Sequence, residues 1–161
     1  MTKQNRFCLW LLRKGADATL NEVTGTTCPC MPWRDADNPE YSREWHRLNP
    51  SAEDCGGTGL ISRTTTSTAI KGMAYLIQTA TATGLLTKEQ AEAIGELQGT
   101  DILWTGTANA STGDFVDLSS LVELQDSIIY NSTTYRVRHT FDMAWGNETT
   151  VGQIAILKRD A

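Results

Sequence analysis

The sequence predicts a mainly β protein, a small barrel or sandwich, with a short N-terminal helix, one further helix and a cysteine-containing loop insertion. Three observations carry this. Short runs of β-branched and aromatic residues alternate with turn signals, the pattern of small barrels and sandwiches. Helical spacing is confined to two segments. All four prolines fall in one aperiodic stretch, residues 26–59. The length, 161 residues, suits a single domain (1–161) with 26–59 as an inserted Cys/His loop.

The elements follow in order. Between Thr2 and Lys14, Phe7, Trp10 and Leu11 recur at helical spacing among Lys3, Arg6, Arg13 and Lys14. Gly15 is a natural stop, and a basic last turn suits the negative end of the helix dipole. Ala16 to Thr24 alternates loosely and reads as an edge strand. Leu60–Thr66 and Ala69–Gln78 read as two strands, the second carrying Ile70, Met73, Tyr75 and Ile77. Thr87 to Leu97 reads as the further helix, with Thr87 and Gln90 as a capping box and Gly99 beyond its end.

Asp101–Thr107 reads as a strand through Ile102, Leu103 and Trp104. Leu124–Tyr130 and Thr134–Thr140 flank the polar Asn131-Ser132-Thr133, a hairpin signal. Alternation places Tyr135, Val137 and His139 on one face of that second arm, and Arg136 and Arg138 on the other. Gly146-Asn147 marks a turn before a buried last strand, Thr150–Leu157.

Composition narrows the function. Fourteen basic residues stand against nineteen acidic ones, a net charge of −5. A protein that binds nucleic acid by neutralising phosphates needs a basic face instead. The apolar run Cys8–Leu12 is too short for a membrane span, and no small-residue cleavage site follows it. The expectation is a soluble protein made in a cytoplasm, without a membrane partner.

Residues 26–59 are the organisational anomaly, because a loop of that length without periodicity needs something other than a core to hold it. Cys28 and Cys30 flank one proline, His46 follows Cys30 after fifteen residues, and Cys55 follows His46 after eight more. Zinc takes four soft or borderline donors at tetrahedral geometry, and a C-x-C pair supplies two from one tight turn. The candidate ligands are therefore Cys28, Cys30, His46 and Cys55, a Cys₃His set. A structural zinc contributes on the order of 10 kcal/mol of folding free energy. Burying one Trp contributes only a few kcal/mol, so Trp33 and Trp45 are expected to pack beside the metal.

The plainer alternative is that free cysteines are buried as small hydrophobes and a lone histidine sits at the surface. The C-x-C pair, the matching His and Cys and the long aperiodic loop put structural zinc ahead. A filled four-ligand site leaves no open position for catalysis. The glycines of Cys55-Gly56-Gly57-Thr58-Gly59 would let the backbone turn around a metal-bound thiolate.

Enzyme signatures are missing: no phosphate loop, no G-x-S-x-G elbow, no H-E-x-x-H helix and no zinc-deaminase pair of motifs. Cys55 with His46, or Cys8 with His139, would be nucleophilic pairs without an orienting third group. A hydrolase is the least favoured reading. Glu53-Asp54, and Asp35 with Asp37, are read as solvated or turn-capping acids.

Cys55–Gly59 is similar to half of the C-x-x-C-x-G-x-G repeat of J-domain chaperone zinc modules, although Ala52 stands where its first cysteine would be. More of the chain resembles the head-tail connector proteins of tailed bacteriophages, also called head completion, stopper or neck proteins. The resemblance rests on the N-terminal helix, Thr27-Cys28-Pro29-Cys30, Glu44-Trp45-His46-Arg47-Leu48-Asn49-Pro50, Cys55-Gly56-Gly57-Thr58-Gly59 and the strand Tyr135-Arg136-Val137. Thr87–Leu97 lies outside it and would be an insertion.

That resemblance implies a virion protein of the neck, assembling with its own copies into a ring. Its partners would be a portal or adaptor protein and tail proteins, and genomic DNA would pass without specific binding. It would line or close the DNA exit, with Asp114, Asp117, Glu123 and Asp126 as candidates to face a lumen, since a repelling wall does not retain phosphate. An ordinary solvated surface accounts for those acids equally well. Arg136 and Arg138 would meet acidic neighbours across a subunit interface or protect an exposed edge. The competing function is a monomeric zinc-binding, chaperone-like interaction module.

Overall fold

The period-2 segments form six strands: β1 (Ala16–Thr27), β2 (Leu60–Leu76), β3 (Ile102–Asn109), β4 (Ser127–Tyr130), β5 (Thr133–Met143) and β6 (Gly152–Arg159). In the computed structural model they close into a barrel in the order β1-β2-β3-β6-β5-β4. Helix α1 (Lys3–Lys14) precedes β1, and a short helix α2 (Arg43–Leu48) lies between β1 and β2. The structure describes residues 2–34, 41–77, 100–123, 125–144 and 151–160. The predicted helix Thr87–Leu97, the turn at Gly146-Asn147 and the acids Asp35 and Asp37 lie outside these residues.

The chain divides into two compact units, Met1–Asn21 with Ser67–Ala161 and Glu22–Thr66. The second is wider than the predicted 26–59 insert, because it takes in the last residues of β1 and the first of β2.

In the first unit the barrel core is built on Trp104, which is fully buried among Leu20, Ile70, Ile128, Ala155 and Leu157. Its indole Nε1 donates to Thr107 Oγ1 at 3.1 Å, so the ring is buried without an orphaned donor. Closure leaves β1 no free edge, which corrects the edge-strand expectation: Thr19–Asn21 pair antiparallel with Ser127–Ile129 of β4. The Thr-rich stretch after Leu60 is one long strand rather than two. It carries a bulge between Lys71 and Met73, where its register against β3 shifts.

A second bulge, between Val137 and His139, resets β5 against β6. Tyr135 and Val137 face the core as expected, but His139 is exposed because the bulge shifts the alternation by one residue. Asn131 and Ser132 both take positive φ, 47° and 61°, as a two-residue hairpin of the mirror-image turn type requires.

Helix α1 is capped by Thr2, whose hydroxyl oxygen accepts from Asn5 N at 3.2 Å, and it ends where Gly15 N donates to Leu11 O at 2.7 Å. Its inner face is Cys8 and Leu11 against Ala108, with Phe7, Leu12, Met73 and Phe115 around them. Trp10, expected on the apolar face, points outward and is 46% exposed. Burial, then the charge of Asp114, pushes the Cys8 thiol up from its ordinary pKa.

The acids proposed for a lumen divide. Asp126 is buried, and its carboxylate accepts from Val122 N at 2.8 Å. The hydroxyl and N–H of Ser119 and the amide of Gln153 hold Asp117 below the usual carboxylate range. Asp114 and Glu123 are exposed. Arg136 pairs with Asp160 at 2.9 Å within the chain.

A Cβ added at Gly72 would run into the Trp104 ring and the Gly106 carbonyl oxygen. Overpacking of this kind costs about 1–3 kcal/mol. Gly72→Ala is therefore expected to lower stability by that amount in urea unfolding, and unchanged stability would show that the Trp104 seat is looser than described.

Candidate metal centre

Three short pieces of the second unit each present donors to one point. The first is the turn after β1. Cys28 and Cys30 sit where a Pro-containing 3₁₀ turn (Met31–Trp33) begins, with Cys28 O accepting from Met31 N at 3.1 Å and Cys30 O from Trp33 N at 3.0 Å. The second is α2, which carries His46 mid-helix. Ser42 caps it, its Oγ accepting from Trp45 N at 3.3 Å, and Asn49 ends it before Pro50.

The third piece is the turn at Cys55. Cys55 O accepts from Thr58 N at 3.1 Å and from Thr58 Oγ1 at 2.7 Å. Gly57 and Gly59 have φ of 83° and 71°, left-handed values that residues with a Cβ rarely adopt. This conformation turns both their N–H groups onto the Cys55 sulfur. Gly59 O accepts from Cys28 N at 2.8 Å, fastening the first turn to the third. Asp54 caps the turn by accepting from Gly56 N at 2.9 Å, whereas Glu53 reaches nine residues on to β2, accepting from Ser62 N at 2.8 Å.

The four donor atoms of Cys28, Cys30, His46 and Cys55 lie within 4.8 Å of one another and could hold a metal ion. The three thiols are free and almost completely inaccessible, at 1%, 0% and 0% exposure. His46 points Nε2 at the sulfurs of Cys28 (3.5 Å) and Cys55 (3.8 Å). Its ring is held flat against Tyr41 (centroids 5.1 Å apart) and edge-on to Trp45 (5.0 Å). Met31 and Ile61 complete the partly buried wall. Trp45 packs beside the cluster as predicted, whereas Trp33 does not; it is 62% exposed.

The thiols differ in electrostatic setting. Burial, followed by the hydrogen bond to Cys28, pushes Cys30 up to about 12, although the Ser42 N–H works against it. Burial would raise Cys55 too, but the N–H groups of Gly57 and Gly59 and the neighbouring thiols hold it below the ordinary thiol value. Backbone N–H groups directed at sulfur stabilise thiolate, the form that binds metal.

Of the two nucleophilic pairs considered from sequence, Cys8 and His139 are separated in role, one on the buried face of α1 and one exposed on β5. Cys55 and His46 do meet, but as two members of the four. Among the described residues no carboxylate hydrogen-bonds the His46 ring. Sequence reasoning missed α2, Tyr41 and Ser42. The α2 signal was present: Ser42 as cap, Glu44 pairing with Arg47 at 2.7 Å, and Asn49-Pro50 as stop.

Comparison with protein-family models, curated proteins and solved structures finds no match for this chain. Among the described residues no helix is long and apolar enough to cross a membrane.

Burial holds the Cys30 thiol above its ordinary pKa, so metal uptake must expel its proton. Apparent affinity should then rise about tenfold per pH unit for each proton displaced, and fall in acid. Competition titrations against a chelator of known affinity, run from mildly acidic to mildly alkaline pH, check this. An affinity independent of pH would contradict thiol ligation.

Proposed function

We propose that this chain is a structural assembly protein of a tailed-phage neck. It forms a ring between portal or adaptor and tail, with one zinc ion held by Cys28, Cys30, His46 and Cys55. The observation that carries the zinc assignment is the shape of the ligand set. A tetrahedral ion with bonds of about 2.3 Å to sulfur and about 2.0 Å to nitrogen has S–S edges of about 3.8 Å and S–N edges of about 3.5 Å. The Cys30–Cys55 edge is 3.8 Å and the Cys28–His46 edge is 3.5 Å, Cys55–His46 is longer at 3.8 Å, and all four donor atoms lie within 4.8 Å, a set slightly wider than the ideal tetrahedron. A soft, three-sulfur set favours zinc over harder cations.

Support for an architectural rather than catalytic role is that all four donors come from protein, as in closed structural sites. The zinc would fix the fold of the second unit and take no part in turnover. The neck assignment itself rests on the sequence resemblance together with a β-barrel body that follows a short helix. The virion is then the place of action, with DNA passing an acidic protein that does not retain it.

One observation favours the monomeric interaction module instead. A groove of about 470 Å³, lined by Trp33, Arg34, Ser42, Glu44, Trp45 and Leu48, lies in the zinc-bearing unit, with Trp33 and Leu48 more than 60% exposed. Exposed aromatic and aliphatic side chains of this kind mark docking surfaces.

Native mass spectrometry with and without chelator separates these readings. A neck protein should carry one zinc per chain and form a closed ring, alone at high concentration or on its portal. Cys28→Ser should lose the ion and with it the fold of residues 22–66. A zinc-loaded chain that stays monomeric even with portal present supports the interaction module. Full zinc occupancy in His46→Ala would remove His46 from the ligand set.

A further inference from the structure

Helix α1 carries four of the fourteen basic residues and none of the nineteen acidic ones, which leaves ten basic against nineteen acidic in the rest of the chain. At 100° per residue, Lys3, Arg6, Leu9, Trp10, Arg13 and Lys14 fall in one arc of about 140°, opposite the buried Cys8 and Leu11. Leu9 and Trp10 are 41% and 46% exposed on that stripe, and Trp10 is braced by stacking on Phe7 at 6.0 Å. Among the described residues Arg6, Arg13 and Lys14 enter no ion pair. Basic residues in a last turn are ordinary, but an unbroken basic stripe studded with a Trp on an acidic protein is not.

We infer that this stripe is the surface by which one copy of the chain docks onto an acidic surface of the next. The complementary surface is on the same unit. In the β3–β4 connection, Asp114 and Glu123 are exposed, as is Asp117, and Val122 among them is 45% exposed. A basic ridge with two apolar side chains thus matches an acidic loop with one. Contact between unlike patches repeats from copy to copy, so it generates a closed ring when the rotation closes.

The available area sets the strength. A twelve-residue helix is about 18 Å long, and a stripe about 10 Å wide gives about 180 Å², against about 800 Å² per partner in a stable complex. A single contact is therefore weak and salt-sensitive, and ring closure, which gives every copy two contacts, supplies the rest. This inference rests on the assembly reading given above and names the surface that reading requires.

The test is sedimentation of the full zinc-loaded chain over a range of concentration and salt, with two charge-reversed variants. Wild-type protein should associate at low salt and dissociate at high salt. Arg6→Glu with Arg13→Glu, and separately Asp114→Lys with Glu123→Lys, should each weaken association by roughly tenfold or more. Mixing the two variants should restore it, which also shows that both are folded. Association undiminished in the α1 variant overturns this contact and leaves the assembly reading standing. A wild-type chain that is monomeric throughout, with or without portal, overturns both. Binding of monomeric wild type to phosphatidylserine vesicles, lost in the α1 variant, would make the stripe a membrane-facing surface and overturn the inference.

Discussion

The second unit depends on four donor atoms brought to one point. Apart from Ser42, its fully buried side chains among the described residues are those of Cys28, Cys30 and Cys55. Three thiols cannot hold forty-odd residues by hydrophobic burial, since each removes little apolar area from water. A metal ion held by these four donors would supply a term several times larger. The surrounding details are consistent with that role. The N–H groups of Gly57 and Gly59 favour thiolate at Cys55, and Tyr41 and Trp45 fix the His46 ring. The Cys28–Gly59 backbone bond joins the two turns that carry sulfur.

The barrel of the first unit works by the opposite principle. Its centre is a fully buried Trp104 with its one donor satisfied, seated where Gly72 leaves room for the ring. Gln153 then ties three segments together. Its Oε1 accepts from Leu118 N at 2.9 Å, and its Nε2 donates to Asp117 at 2.7 Å and to Asp142 at 3.2 Å. These bonds fix the position of two carboxylates, Asp117 and Asp142, that stay exposed. Asp126, buried and accepting from Val122, is removed from any solvent-facing role.

Much of this was legible in the amino-acid order. The β class, the N-terminal helix and the nearness of Cys28, Cys30, His46 and Cys55 all follow from residue type and spacing. What escaped has identifiable physical causes. A bulge inserts one residue without altering local composition, so the outward turn of His139 leaves no mark in the alternation. The long polar middle of β2 has no apolar period to signal that it is one strand. Helix α2 has only six residues and buries no side chain fully, so its signals were its caps and the Glu44–Arg47 pair. The exposure of Trp10 is a matter of which helical face meets β3, which tertiary packing decides. Burial of Asp126 likewise arises from a partner four residues away in a non-repetitive loop.

X-ray absorption at the zinc edge on the purified chain tests the central claim most directly, because it reads the ion's own coordination shell. The account predicts three sulfur neighbours at about 2.3 Å and one nitrogen at about 2.0 Å. A shell made only of oxygen and nitrogen, or no bound zinc with the second unit still folded, would contradict it.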